Sequence, residues 1–220
     1  VRKKKITVYI GILPNKLAES RVIVNLFFSQ LINQNTKELP QDNKDLQHQC
    51  LLLMDEFTSI GRVEIIAHSV SYMAGYNIRL FPIIQSVAQL DAVYGKEYAR
   101  TIITNHALQI IYTPREQQDA NEYSEMLGYT TVKRRNVSRG RERSVSESEE
   151  RRALMLPQEL KGMSQDNEII LYEGMAHPAK VNKIRYYQDG MFTKRLRKPV
   201  AVASLKDKGK LHTDVNKEQA

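Results

Sequence analysis

The sequence predicts an α/β fold in which a largely parallel sheet is covered by helices. Three observations predict it. Short β-branched and aliphatic runs alternate with longer stretches whose apolar residues recur at helical spacing, the signature of strand–helix–strand units. One run, Cys50-Leu-Leu-Leu-Met54, is apolar without interruption, as strands buried on both faces of a parallel sheet are. The chain of 220 residues, 41% hydrophobic and 26% charged, is also long enough for one or two domains with a core of their own. A chain of this size buries about 70% of its unfolded surface without needing staples.

The elements follow in order. Ile6 to Ile12 is β-branched and short, is stopped by Pro14, and reads as a buried strand. From Leu17 to Gln34 the residues Leu17, Val22, Ile23, Leu26, Phe27 and Leu31 mark a helix packed on one face. Residues 35–49 are polar and read as a loop, and Cys50–Met54 is the central strand. Val63, Ile66, Ala67, Val70 and Met73 form one stripe of a helix that closes at Gly75. Ile78 to Ile84 reads as the next strand, Val87 to Tyr98 as a helix and Ala107 to Tyr112 as a strand. Thr113-Pro-Arg-Glu116 reads as a helix start, with Thr113 capping, Glu116 reaching back and Pro114 placed where its missing N–H does no harm. That helix stops at Gly128. Residues 133–150 are rich in Ser, Arg and Glu and predict a mobile basic loop, since so few apolar groups cannot offset the entropy of ordering it. Order returns at Leu154 to Pro157, followed by strands over Glu168 to Tyr172 and Val181 to Tyr187. The expected layout is one domain over 1–197 and a flexible lysine-rich tail over 198–220.

Composition excludes several classes. The single cysteine, Cys50, rules out an internal disulfide framework and fits a reducing compartment. The five histidines are scattered singly, so no zinc-type cluster is present. No apolar run approaches the roughly 18 residues of a membrane span, and Val1-Arg-Lys-Lys-Lys leads into no secretory apolar stretch. Val1 in place of Met suggests a segment of a longer chain. The net charge of +8 gathers at Arg2 to Lys5, Lys133 to Arg143 and Lys194 to Lys198. A basic surface attracts polyanions, nucleic acid first, although such stretches are as often merely solvated. Arg134, Arg135, Arg139, Arg141 and Arg143 carry no interleaved aromatic residue, so phosphate contact is expected there rather than base stacking.

The segment Leu51-Leu-Leu-Met-Asp-Glu-Phe57 carries the chemistry. Two carboxylates leave the C-terminal end of a buried strand, where open α/β sheets hold their ligands. Adjacent strand residues point to opposite faces, so the two acids can serve different partners. In a nucleotide hydrolase Asp55 would hold a Mg²⁺ water near the phosphates and Glu56 would orient the attacking water. The same pair also reads as a solvated strand end. A second strand ends at Gln85, whose amide could donate to a γ-phosphate while accepting from the attacking water, or simply cap the helix that follows.

The ordered set Leu51-Leu-Leu-Met-Asp-Glu-Phe57, Tyr72-Met-Ala-Gly-Tyr76, Ile83-Ile-Gln-Ser86 with Gln89-Leu90 and Tyr94-Gly95, Asn105, Ser124 to Gly128, Arg152 to Pro157 with Glu159-Leu160, Ile169 to Gly174, Pro178 and Tyr186-Tyr187 resembles the coupling ATPases of type IV secretion, the TraG/TraD-like conjugation proteins, over roughly residues 5–197. The resemblance implies the C-terminal part of a RecA/FtsK-like P-loop NTPase motor domain. It implies ATP and Mg²⁺ as ligands, Asp55 and Glu56 as Walker B acids, and Gln85 as the family's glutamine at the end of the next strand. It further implies a homo-oligomer, a hexamer in the full-length protein, at the cytoplasmic face of the bacterial inner membrane. That assembly would deliver relaxase-bound single-stranded DNA or effector proteins to the channel components. The departures are definite. No G-x-x-x-x-G-K-S/T phosphate loop occurs, so the chain alone is expected to hydrolyse little or no ATP. Ala74 stands where some relatives carry an arginine reaching a neighbouring subunit, and Arg79 is the nearest cation downstream. Two readings stay open beside this one: another RecA/FtsK-like DNA-translocating ATPase fragment, and a non-catalytic remnant that binds DNA or a partner.

Overall fold

The structure, a computed structural model, describes residues 1–139 and 143–197 and divides into a unit over Val1–Asn182 and a second that begins at Lys183. The first unit runs α1 (Leu17–Asn35), β1 (Cys50–Met54), α2 (Glu64–Ser69), a 3-10 helix (Met73–Tyr76), β2 (Ile78–Pro82), α3 (Val87–Tyr94), α4 (Lys96–Thr104), β3 (Leu108–Ile111), α5 (Gln117–Leu127), β4 (Tyr129–Arg139), β5 (Arg143–Ala153), α6 (Pro157–Lys161), β6 (Asn167–Tyr172) and β7 (Ala179–Asn182). The expected α/β class holds. β1 and β2 pair in parallel, in register from Cys50 opposite Ile78 to Met54 opposite Pro82. The later strands pair antiparallel, in the order β3–β6–β7, and β4 with β5 forms a separate hairpin.

Alternation along β1 sets the core. Leu52 and Met54 point inward with Ile78 of β2 and meet Phe57, Val63, Ile66, Met73, Leu90, Tyr94, Ala99 and Ile102. A smaller cluster joins Ile111, Leu127, Leu160, Met163 and Ile169 around the β3–β6 pair. The other face of β1 is bare: Leu51 and Leu53 are each 60% exposed, and Phe81 beside Leu53 is exposed too.

Several expectations need correction. Residues 6–12 form no strand, and Ile6, Val8, Tyr9 and Ile10 are exposed; a strand exists through its ladder, and no described strand pairs with this stretch. α1 has the expected length, but Val22, Ile23 and Leu26 of its apolar stripe face solvent, and the buried residues are Val24 and Ile32. The helix before β2 ends early, and the left-handed residue closing the 3-10 turn is Asn77 (φ 56°) rather than Gly75. The expected Val87–Tyr98 helix is two helices, broken at Gly95, whose φ of 79° suits a residue without a Cβ. α5 starts at Gln117; the Thr113 hydroxyl donates to the Met163 carbonyl (3.1 Å) instead of capping it. β7 ends at Asn182, short of Tyr187. Residues 133–150, expected as an irregular loop, lie in the paired strands β4 and β5 except for residues outside the description. There the register sets Lys133 opposite Glu149 and Arg135 opposite Glu147. Opposite charges across a ladder, as at Lys133 and Glu149, stabilise it by about 0.2–1 kcal/mol per pair, a gain that composition does not reveal.

In the second unit the short helix α7 (Gly190–Thr193) is capped by Asp189, whose carboxylate accepts from the Met191 and Phe192 N–H groups. The expected tail over 198–220 lies outside the described residues.

Candidate nucleotide site

The site begins where β1 and β2 end. The Ile83 N–H donates to the Met54 carbonyl (3.0 Å), and the Phe57 N–H donates to the Ile83 carbonyl (2.9 Å). These two bonds stitch the strand exits together, so the turn carrying Asp55 and Glu56 runs beside the one carrying Gln85. Glu56 holds a left-handed backbone, φ 48°, a conformation that costs a residue with a Cβ roughly 1–2 kcal/mol. The Glu56 N–H donates to Asp55 Oδ1 (3.1 Å), and the Ser59 N–H to the Glu56 carbonyl (2.8 Å), which together hold the turn.

Burial directly behind it braces this strained turn. Phe57 is fully buried and stacks on Tyr94, with ring centroids 5.2 Å apart and planes 17° apart. Tyr94 Oη accepts from the Val63 N–H (3.2 Å), and burial pushes its phenol up to about 12. Arg62 donates to the Tyr94 carbonyl (3.1 Å), pairs with Glu64 (2.8 Å) and lies over the Tyr98 ring. On the β2 side Ser86 caps α3 by accepting from the Gln89 N–H (3.3 Å), and Thr58 reaches Gln89 from the β1 turn (3.4 Å). Gln85 itself does not cap α3.

The side chains of Asp55, Glu56 and Gln85 are all exposed. Among the described residues no side chain bonds to Glu56 or Gln85, and Asp55 has one carboxylate oxygen uncommitted. Asp55 also borders a groove of about 740 Å³ between β1, the N-terminal segment and Phe27 and Phe28 of α1. No group of three or more His, Cys, Asp or Glu among the described residues could hold a metal ion. A lone carboxylate suits a hydrated Mg²⁺, which keeps most of its waters and takes few protein ligands.

Other candidate residues lie away from these turns. Arg79 donates to the Ala74 carbonyl (2.8 Å), closing the 3-10 helix before its own strand. His106 Nδ1 bonds the Ile102 carbonyl (2.6 Å) at the end of α4. Arg134 pairs with Glu150 (3.1 Å), and Arg139 stands opposite Arg143 in the hairpin register; Arg141 lies outside the described residues. Sequence reading gave Phe57, Tyr94 and Thr58 no role of their own. Phe57 was within reach: a large apolar residue directly after two acids has to turn back into the core.

Residues 1–208 match the family described as type IV secretory system conjugative DNA transfer. Protein VirD4 of Agrobacterium fabrum is 30% identical over 195 residues, 87% of this chain and 29% of that protein. The conjugal transfer protein TraG of Escherichia coli is 29% identical over 148 residues, 64% of this chain and 23% of that protein. The chain thus spans less than a third of the curated relatives it matches. The bacterial conjugative coupling protein TrwBdeltaN70, in its unbound form, superposes with a TM-score of 0.63 at 18% identity, over 76% of this chain and 38% of that one. The plasmid coupling protein TrwB in complex with ADP and Mg²⁺ gives 0.60. These superpositions, at 18% identity, show a shared fold. No described helix is long and apolar enough to cross a membrane.

Proposed function

We propose that this chain, which belongs to the type IV secretory system conjugative DNA transfer family, supplies the acidic, water-orienting side of the nucleotide site in a conjugative coupling motor. The observation that carries the reading is the pair of stitched strand exits, which run the turn of Asp55 and Glu56 beside that of Gln85, with Glu56 and Gln85 free of side-chain partners among the described residues and one Asp55 oxygen uncommitted. A strained backbone at the second acid supports it, since such strain persists where the surroundings over-determine it, and functional turns are where it gathers.

Mg²⁺ bound with ATP would neutralise charge on the β and γ phosphates. Asp55 would help hold the hydrated Mg²⁺ through the carboxylate oxygen that accepts no hydrogen bond from the protein. Glu56 orients and polarises the attacking water. Gln85 donates its amide N–H to the γ-phosphate and accepts from that water. The phosphate loop is supplied by a stretch of polypeptide outside these residues, and that stretch covers the bare face of β1. The whole protein works as a hexamer on the cytoplasmic face of the inner membrane, delivering relaxase-bound DNA or effector protein to the secretion channel. The basic stretch that holds Arg134, Arg135, Arg139, Arg141 and Arg143 would contact phosphate; Arg139 stands opposite Arg143 in the register.

In the full-length protein, Glu56→Gln lowers ATP turnover by at least about 100-fold while a fluorescent ATP analogue still binds. Unchanged turnover in Glu56→Gln would overturn the reading. Charge-reversing Arg139 and Arg143 together lowers the salt dependence of DNA binding by about two phosphate contacts, read as the slope of log affinity against log salt.

A further inference from the structure

The third basic cluster has no role so far. It belongs to the second unit, whose described residues are 183–197. That stretch carries five cations, Lys183, Arg185, Lys194, Arg195 and Arg197, against one acid, Asp189. Aromatic residues interleave with the cations here, as they do not in the hairpin: Tyr186 and Tyr187 follow Arg185, and Phe192 lies just before Lys194. Turns order the segment. The Gln188 N–H donates to the Arg185 carbonyl (2.8 Å), the Thr193 N–H to the Asp189 carbonyl (2.9 Å) and the Arg195 N–H to the Phe192 carbonyl (2.9 Å). The Asp189 carboxylate is committed to capping α7. The rings held on this framework are open to solvent: Tyr186 is 57% exposed and Tyr187 55%. They meet edge to face, centroids 5.4 Å apart and planes at 85°, so one ring keeps both of its faces clear of the other. Arg185 donates to the Tyr187 hydroxyl (3.4 Å), which sets a guanidinium beside the pair. Past α7, Lys194, Arg195 and Arg197 are exposed and make no ion pair among the described residues.

We propose that this surface binds single-stranded nucleic acid: Tyr186 and Tyr187 stack on unpaired bases, and Lys194, Arg195 and Arg197 contact the phosphates of the same strand. Two features carry it. Open ring faces suit an unpaired base, which offers a π-face whatever its identity. Cations without acidic partners attract a polyanion and release its counterions. A duplex keeps its base faces in its own stack, so it suits the cations but not the rings. A membrane surface calls for an amphipathic helix with a continuous apolar face. α7 has four residues, and Lys194, Arg195 and Arg197 interrupt the apolar positions after it. The proposal draws on neither the acidic turns nor the hairpin; it rests on the reading above only in that single-stranded DNA is what the motor handles.

The test compares, by fluorescence anisotropy with the 220-residue chain, an oligothymidylate of about 12 nucleotides and an abasic strand of the same length. The wild-type chain should bind the base-bearing strand at least about tenfold more tightly, since stacking contributes on that scale for each base. Tyr186→Ala with Tyr187→Ala should bring the two affinities within about twofold of each other, whereas Tyr186→Phe with Tyr187→Phe, which keeps both rings, should preserve the preference. Lys194→Ala, Arg195→Ala and Arg197→Ala together should weaken both strands alike and lower the salt slope by about two, at about 0.7 for each phosphate contact. Equal wild-type affinity for the two strands would overturn the stacking while leaving phosphate contact by the hairpin standing. No binding to either strand would sink the DNA reading as well. If the double alanine variant does not fold, Tyr186→Leu with Tyr187→Leu takes its place, since leucine keeps apolar bulk without a ring face. Binding to phosphatidylserine vesicles that the alanine variant loses, with its preference for bases unchanged, would make this a membrane surface and overturn the proposal.

Discussion

The two faces of β1 carry similar residues and meet opposite fates. Leu52 and Met54 point into the main core, whereas Leu51 and Leu53 stand 60% exposed with Phe81 beside them. A parallel strand is normally covered on both faces, and this one reads that way from end to end in the sequence. The contrast teaches that β1 is composed for two covers and that the described residues furnish one. The same holds for residues 6–12 and for the outer stripe of α1: apolar, regularly spaced and unpartnered. Among the described residues this apolar surface lies uncovered, and the groove along it reaches Asp55.

Substitution on each face gives the largest expected contrast. Leu52→Ala in this chain should cost about 2–5 kcal/mol in urea unfolding, the usual range for a leucine lost from a packed core. Leu53→Ala should cost no more than about 0.5 kcal/mol, as exposed sites do. In the full-length protein Leu53→Ala should move toward the core value. Equal costs for the two variants in the isolated chain would erase the contrast between the faces.

A second experiment sharpens the covered side. Tyr94→Phe keeps the ring stacked on Phe57 but removes the acceptor of the buried Val63 N–H, and should cost about 1–3 kcal/mol. It also carries a pH signature. The fold favours the neutral phenol, so the stabilisation is complete below the unfolded value of about 10 and is lost as pH rises toward about 12. Tyr94→Phe should flatten the alkaline fall in stability. Part of the slope should remain, because burial also raises Tyr123 to about 12. An unchanged alkaline slope would mean that the face behind the acidic turn is less tightly sealed than the stacked rings imply.

Much of this was legible in the sequence, and the limits have physical causes. β1 and β2 were readable because a continuous apolar run needs only local information. α1 was readable in extent because helical periodicity is local as well. Its exposure was not, since periodicity says which residues share a face and nothing of what meets that face. The acids after Met54 and the amide after β2 were readable as candidates. Their support was not: the Phe57–Tyr94 stack and the Val63–Tyr94 hydrogen bond join residues far apart in the chain. The hairpin was misread for a related reason. Its stem holds together through register, with Lys133 facing Glu149 and Arg151 lying over Tyr129, whereas composition records only that the segment is charged.

The smallest effect belongs to a contact with no burial behind it, and so sets the floor for the comparison between covered and bare surfaces. The N-cap position of α6 is Leu156, a residue with no side-chain oxygen to cap the helix. Glu159 compensates from within the first turn. It accepts from the Leu156 N–H (2.7 Å) and from Arg152 (2.6 Å), and these bonds, the backbone one first, lower its carboxyl below the ordinary range. The fold thus favours the ionised form, so this contribution is present above the unfolded carboxylate value of about 4.3 and is lost as pH falls through the lower folded value. Glu159→Gln keeps an acceptor and removes the charge. At neutral pH its thermal midpoint should lie slightly below that of the unsubstituted chain, by less than for Leu52→Ala or Tyr94→Phe. The two midpoints should converge on acidification, since the unsubstituted protein then loses the same charge by protonation. A gap that persisted at low pH would mean that Glu159 acts through its shape and packing, not through the charge that Leu156 and Arg152 hold.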